Sequence, residues 1–236
     1  MIDCKLVLFD LDDTLYDFAH FWEIAVKETL RRSPSSAGLE IEPLFALFRE
    51  KSDEVWEYYE RNEITMAQYR NLRFIKTMAV YGREVGEEEA SEFNRLFLQD
   101  ATAFIEPTPS TVDLLTKLRA RVPLGIVTNG PVDQQMKKVD KLGLAEIFPR
   151  ETVFMSGDIG VHKPHPLIFE KALAHFGVAA EDTVFVGDSW KHDVAGSIDA
   201  GMRAIWLNWK GQTPATEHQP LAVISSIDEL RPLFGI

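Results

Sequence analysis

The chain predicts an α/β fold, a doubly wound parallel sheet interrupted after its first strand by an all-helical insertion. Three observations carry this. Val7-Leu8-Phe9 is an apolar run of the kind a buried parallel strand requires, and it stops abruptly at Asp10, Asp12, Asp13 and Thr14. Residues 18 to 104 then show helical periodicity with few β-branched runs. From Leu124 onward, short apolar strands alternate with helical stretches, the pattern that builds right-handed crossovers and a parallel sheet covered on both faces.

Four amphipathic helices fit the insertion, over about 20–32, 41–60, 65–81 and 87–104, separated by Ser33-Pro34-Ser35-Ser36, by Asn62 and by Gly82 with Gly86. Thr65 and Gln68 have the spacing of a capping box, and Glu87, Glu88 and Glu89 occupy a first turn where carboxylates oppose the helix dipole. Glu106-Pro107-Thr108-Pro109 reads as the return linker. The expected division is therefore 1–17 with 105–236 as the α/β core and 18–104 as the helical insertion. Strands follow at Leu124–Val127, Val153–Met155, Val184–Val186 and Ala204–Leu207, making five with the first. Helices are expected from about Pro131 to Leu142, from Pro166 to Phe176 and from about Trp190 to Ala200, and residues 211–220 read as a polar loop.

Composition limits the function classes. A formal charge of −12 argues against sequence-independent binding to nucleic acid or anionic lipid, which needs a basic surface. Cys4, read as a buried strand residue, is the only cysteine, so no intramolecular disulfide forms and a reducing compartment is expected. Neither a secretory signal nor a run of membrane-spanning length is evident, and the expectation is a cytoplasmic protein without membrane or nucleic-acid partners.

Polar groups end three of the strands: Asp10 and Asp12, then Thr128 and Asn129, then Asp188. The carboxyl ends of parallel strands share one edge, so these groups converge on one crevice. Acids clustered there repel, and they are tolerated when a cation neutralises them or one stays protonated; a turn or helix cap is the competing reading. Asp10-Leu11-Asp12-Asp13-Thr14, Thr128-Asn129-Gly130, Lys163-Pro164 and Gly187-Asp188-Ser189 through Asp193 resemble, in order, the four motifs of the haloacid dehalogenase superfamily, specifically its phosphatase branch. The resemblance covers nearly the whole chain and implies a Rossmann-like core with a helical cap. It extends suggestively to cytoplasmic nucleoside 5'-phosphatases and acylneuraminate phosphatases.

What the resemblance implies is a Mg²⁺-dependent phosphomonoester hydrolase acting on a small phosphorylated metabolite, a nucleoside monophosphate or sugar phosphate. Asp10 would be the nucleophile that forms an aspartyl-phosphate, and Asp12 the acid and then the base. Mg²⁺, a hard cation that prefers oxygen, would be held by Asp10, Asp188 and the backbone carbonyl of Asp12, with Asp193 contributing behind them or through a water. Lys163, the Thr128 hydroxyl and backbone N–H groups near Leu11, Asp12 and Asn129 would hold the phosphoryl oxygens. The competing readings are a solvated loop cation for Lys163, a strand end for Thr128 and a helix-terminal residue for Asp193.

His165 is a poor candidate to cap the helix that begins at Pro166, and His162 and His165 are expected at the surface or in capping roles. Phe21 and Trp22 follow the catalytic turn and either touch substrate or pack the insertion, the second being the commoner fate of such aromatics. Three alternatives compete with the phosphatase. Hydrolytic dehalogenation through an ester at Asp10 is disfavoured by Asp12, which the family's dehalogenases lack. A phosphosugar mutase would share the intermediate. A phospho-accepting signalling receiver, from a different class, is disfavoured by the large insertion.

Overall fold

The computed structural model describes residues 1–236 and divides into two compact units, Met1–Phe18 with Glu106–Ile236, and Ala19–Ile105. In the first, six parallel strands lie in the order β3-β2-β1-β4-β5-β6: β1 Leu6–Phe9, β2 Leu124–Thr128, β3 Val153–Met155, β4 Thr183–Gly187, β5 Arg203–Leu207 and β6 Ala222–Ile224. The chain fills one side of β1 and then the other, so the order reverses at β1, where open α/β sheets form their binding crevice. All four residues of β1 are buried, as a strand covered on both faces requires. Leu6 and Leu8 join Ile168, Phe169 and Ala172 of α8 (Pro166–Phe176), while Phe9, pointing the opposite way, meets Phe148 edge-on at 6.2 Å.

Several expectations are corrected. Pro109 does not lie in a linker but opens a helix over Pro109–Arg119, where its fixed φ and missing N–H suit the first helical position. A sixth strand, Ala222–Ile224, extends the sheet beyond the five expected. Cys4 is only partly buried and precedes β1 instead of lying in it. His165 does cap its helix, its Nδ1 accepting from the Leu167 N–H at 3.2 Å, and His162 is buried rather than superficial.

The second unit is helical. α1 (Phe18–Arg32), α2 (Ile41–Glu60), α3 (Met66–Val80) and α4 (Glu87–Asp100) pool their apolar faces into a core containing Leu30, Phe48, Phe74 and Phe93. The last two rings stack at 3.9 Å. Both bonds of the Thr65–Gln68 capping box are present, and Glu87, Glu88 and Glu89 occupy the first turn of α4. Trp22 packs against Phe45 and Phe48 at 5.6 and 6.0 Å, so it serves this core, while Phe21 lies edge-on to His20. Arg73 is buried, its guanidinium 4.9 to 5.3 Å from the rings of Phe48, Tyr69 and Phe97.

Candidate active site

Asp10 is the first residue beyond β1, and its N–H still donates to the Val186 carbonyl of β4 at 2.9 Å, so the sheet fixes its backbone. The chain then turns sharply. Asp13 sits at φ 61°, a left-handed conformation that only a few per cent of non-glycine residues adopt and that asparagine and aspartate tolerate best. The Thr14 hydroxyl accepts from the Asp188 N–H at 3.2 Å, tying the turn after β1 to the turn after β4.

Lys163 reaches the same place from the loop before α8. Its Nζ donates to Asp10 Oδ1 at 2.6 Å and Asp193 Oδ1 at 2.7 Å, with all three side chains almost sealed from solvent. Burial alone would depress the Lys163 ammonium, but Asp10 and Asp193 hold it above its ordinary value. Burial also pushes the Asp10 carboxyl well up, opposed by Lys163 and reinforced by Asp193, Asp188 and Asp12. Asn129 grips the lysine backbone at two points, Nδ2 donating to the Lys163 carbonyl and Oδ1 accepting from its N–H at 3.0 and 2.7 Å. On the other side, a Cβ at Gly187 would overlap the Asp193 carboxylate, so the glycine is what lets that acid approach β4. Asp193 also accepts from the Ser189 N–H at 2.9 Å, combining the helix-terminal role with the contact to Lys163. The helix here, Trp190–Ala195, is a π-turn: the Ser189 carbonyl accepts from both Asp193 and Val194.

Asp12 faces a different set of donors. Lys138 Nζ reaches both of its oxygens at 2.7 and 2.9 Å, the Tyr16 hydroxyl donates at 2.7 Å and Gln135 Nε2 at 3.1 Å. The Tyr16 phenol, pushed far up by burial and then by Asp12, stays a donor. Gln135 also donates to the Thr128 Oγ at 2.7 Å, which accepts from the Gly130 N–H as well, leaving the threonine proton to donate. Sequence reasoning missed Gln135 and Lys138, and gave Tyr16, in the segment that follows the catalytic turn, no role of its own. The only signal was the spacing of Gln135 and Lys138, one helical turn apart on α6 (Val132–Lys141); the structure shows both buried despite their polarity.

A third lysine completes the edge. Lys210 donates to Asp13 Oδ2 at 3.0 Å and Asp188 Oδ2 at 3.4 Å, while the indoles of Trp209 and Trp206 donate to the carbonyls of Asp13 and Asp188. Asp188 is pushed up to about 7 by burial and then by Asp193, with Lys210 pulling the other way.

The edge thus gathers five carboxylates, Asp10, Asp12, Asp13, Asp188 and Asp193, against three ammonium groups, and the formal excess is two negative charges. Oxygen atoms of Asp10, Asp188 and Asp193 lie within 4.8 Å of one another. An all-oxygen donor set carrying that excess fits a hard divalent cation. The Asp12 carboxylate lies apart from the three, on Lys138.

The motif order, the parallel sheet and this convergence define a class of hydrolase, and comparison with known proteins gives the same class. A sequence model of the haloacid dehalogenase-like hydrolases matches residues 4–201, and the chain belongs to that family. It is 30% identical to a glyceraldehyde 3-phosphate phosphatase of Methanothermobacter thermautotrophicus, over 98% of this chain and 99% of the relative. It is 28% identical to a pyrimidine 5'-nucleotidase of Escherichia coli, over 97% and 96%. Among solved structures, a 2-haloacid dehalogenase of Pseudomonas syringae is 29% identical, with a TM-score of 0.70 over 98% of each chain. No helix is long and apolar enough to cross a membrane.

Proposed function

We propose that the protein is a Mg²⁺-dependent phosphomonoester hydrolase that turns over a small phosphorylated metabolite, a nucleoside monophosphate or a sugar phosphate, by way of an aspartyl-phosphate on Asp10. The observation that carries this reading is the pair of carboxylates two residues apart, each with its own lysine: Asp10 on Lys163 and Asp12 on Lys138. In this reading one is the nucleophile and the other the proton carrier. The names of the phosphatase and nucleotidase relatives support it. Asp10, Asp188 and the Asp12 carbonyl, with Asp193 adjoining, would hold Mg²⁺, which when bound would offset the negative charge of the phosphoryl oxygens.

An Asp10 oxygen attacks phosphorus, forming the O–P bond to the enzyme as the P–O bond to the leaving group breaks. Asp12, which must carry a proton in this step in place of its ion pair with Lys138, gives it to the departing alkoxide. Asp12, now ionised, takes a proton from water as that water attacks the intermediate, releasing inorganic phosphate and freeing Asp10. Lys163, the Thr128 hydroxyl and the N–H groups after β1 and β2 hold the phosphoryl oxygens, Asn129 fixing Lys163 for the task. The helical insertion, expected over 18–104, would take the role of the family's cap domain.

A second reading is favoured by one observation, the likeness to a 2-haloacid dehalogenase. Release of halide needs no leaving-group proton and no cation, so it leaves Asp12, Lys138 and Asp188 without a task. Incubation with p-nitrophenyl phosphate, with and without Mg²⁺, separates the two. Mg²⁺-dependent phosphate release, abolished in Asp10→Asn and inhibited by Ca²⁺ with its looser shell, is expected. Release that persists in Asp10→Asn overturns the assigned nucleophile, and a panel of nucleoside monophosphates and sugar phosphates then identifies the substrate.

A further inference from the structure

Lys210 belongs to none of the motifs that converge on the strand ends, and it lies beyond residue 201, where the family match stops. It is nonetheless a placed residue. The loop that carries it is fixed at its base by the Asn208 N–H donating to the Ile224 carbonyl and by two bonds between Asn208 and Gln212, at 2.7 to 2.9 Å. Trp209 anchors its indole N–H on the Asp13 carbonyl at 3.2 Å, and the Lys210 ammonium sits 4.5 Å from that ring. The left-handed backbone of Asp13 turns that residue's carboxylate to the same ammonium.

The ammonium therefore bridges one acid inside the three-carboxylate cluster, Asp188, and one outside it, Asp13. The bond to Asp13 is the shorter, 3.0 against 3.4 Å. A cation entering the cluster would take the Asp188 oxygens and meet a fixed positive charge a few ångströms away, and Lys210 has Asp13 to fall back on. Resting on the hydrolase reading above, we propose that Lys210 is a tethered counter-ion of the metal site: it competes with the divalent cation for Asp188 and so sets how tightly that cation is held. It is a positioning residue in this sense, acting through Asp188 and Asp13 and not on the substrate. An affinity held down in this way lets the cation exchange readily and leaves occupancy responsive to the free Mg²⁺ level.

The test is isothermal titration of metal-stripped protein with MgCl₂, at low salt and at about 0.5 M salt, where the Debye length shrinks to a few ångströms. Lys210 is 37% exposed in its side chain, so the effect is discounted for screening. Lys210→Met is expected to bind Mg²⁺ about three- to tenfold more tightly than wild type at low salt, with the difference mostly lost at high salt. Lys210→Arg, which keeps the charge, should stay within about twofold of wild type. Lys210→Gln carries the expectation of the methionine variant should that one fold poorly. Unchanged or weaker binding in both uncharged variants overturns the proposal, as does an arginine variant that behaves like them, since a merely structural loop role would not distinguish charge. Wild-type protein that binds no Mg²⁺ would sink the metal site of the hydrolase reading along with it. Binding that is present but indifferent to Lys210 removes this inference alone.

Discussion

Both units bury charge, and they do it in opposite ways. At the strand ends of the α/β unit, Lys163 lies between two buried carboxylates at 2.6 and 2.7 Å, and carboxylates outnumber lysines. In the helical unit, the buried guanidinium of Arg73 has no carboxylate partner; it touches three aromatic rings and donates to the Tyr69 hydroxyl at 3.3 Å. A network of paired charges is costly to break and useful to chemistry, whereas a cation caged by rings is mostly shape and dispersion. The difference teaches where to look for function. It lies where acids are held together against their repulsion, and substitutions can show whether the contrast is real.

The largest effect is expected for Lys163→Met. It leaves Asp10 and Asp193 buried side by side without their shared counter-charge, and breaking such a network costs about 3–5 kcal/mol. Urea unfolding of the metal-free protein checks this, and hydrolysis of p-nitrophenyl phosphate should fall by roughly a thousandfold, in line with the loss of a charged group at the transferring phosphoryl. A stability change under about 1 kcal/mol would mean that Asp10 already holds a proton, and the contrast between the units would narrow.

Lys138→Met follows. Asp12 loses the donor that engages both of its oxygens but keeps Tyr16 and Gln135. Alkyl phosphates, whose leaving alkoxide needs a proton, should lose about ten- to a hundredfold in kcat, and p-nitrophenyl phosphate, with its stable phenolate, much less. Equal losses on both would reduce Lys138 to a structural lysine.

Asp188 gives a smaller effect with a definite sign. Its folded pKa, raised to about 7 from an ordinary 3.8, means that the folded state holds the proton more tightly than the unfolded chain does. Its contribution is therefore fully present below about pH 4 and is lost as pH rises through 7. Metal-free protein should be less stable at pH 8 than at pH 5. Asp188→Asn should recover on the order of 1–2 kcal/mol of that loss, measured by urea unfolding in EDTA. Identical pH profiles for the two proteins would place the repulsion elsewhere.

Much of this was legible in the residues, for a physical reason. The strand-end acids and Thr128 sit beside short apolar runs whose polarity reverses within one or two positions, and a parallel sheet must bring such ends to one edge, whereas Lys163, in the loop before α8, was marked only by its resemblance to a family motif. Their partners were not legible. Lys138 lies in the last turn of its helix, where a cation looks like an ordinary complement to the helix dipole, and Lys210 lies just before the polar loop. Lys138 finds Asp12, and Lys210 finds Asp13, across more than a hundred residues of sequence, pairings that only the packing of α6 and the path after β5 decide. Pro109 was misread because proline both ends structure and starts helices, and the three residues of β6 were too few to show alternation. The four helices of the insertion were easier, since a 3.6-residue stripe over fifteen or twenty positions leaves little ambiguity.

The smallest effect is expected where intuition about buried charge expects a large one. Burial lowers the Arg73 pKa, and its Nε meets no acceptor, so its desolvation is only partly offset by Tyr69 and the three rings. Methionine is shorter and flexible, keeps a soft contact with aromatic faces and removes the uncompensated charge. Two terms oppose each other: lost cation–π contacts of about 0.5–2 kcal/mol each, and a recovered desolvation penalty of several kcal/mol. Their near-cancellation predicts that Arg73→Met changes stability by no more than about 1 kcal/mol in either direction. A loss as large as that of Lys163→Met would show that the cage holds its cation as firmly as the carboxylates hold theirs, and the contrast between the two units would fail. The thermal unfolding midpoints of the two variants, measured side by side without metal, decide it.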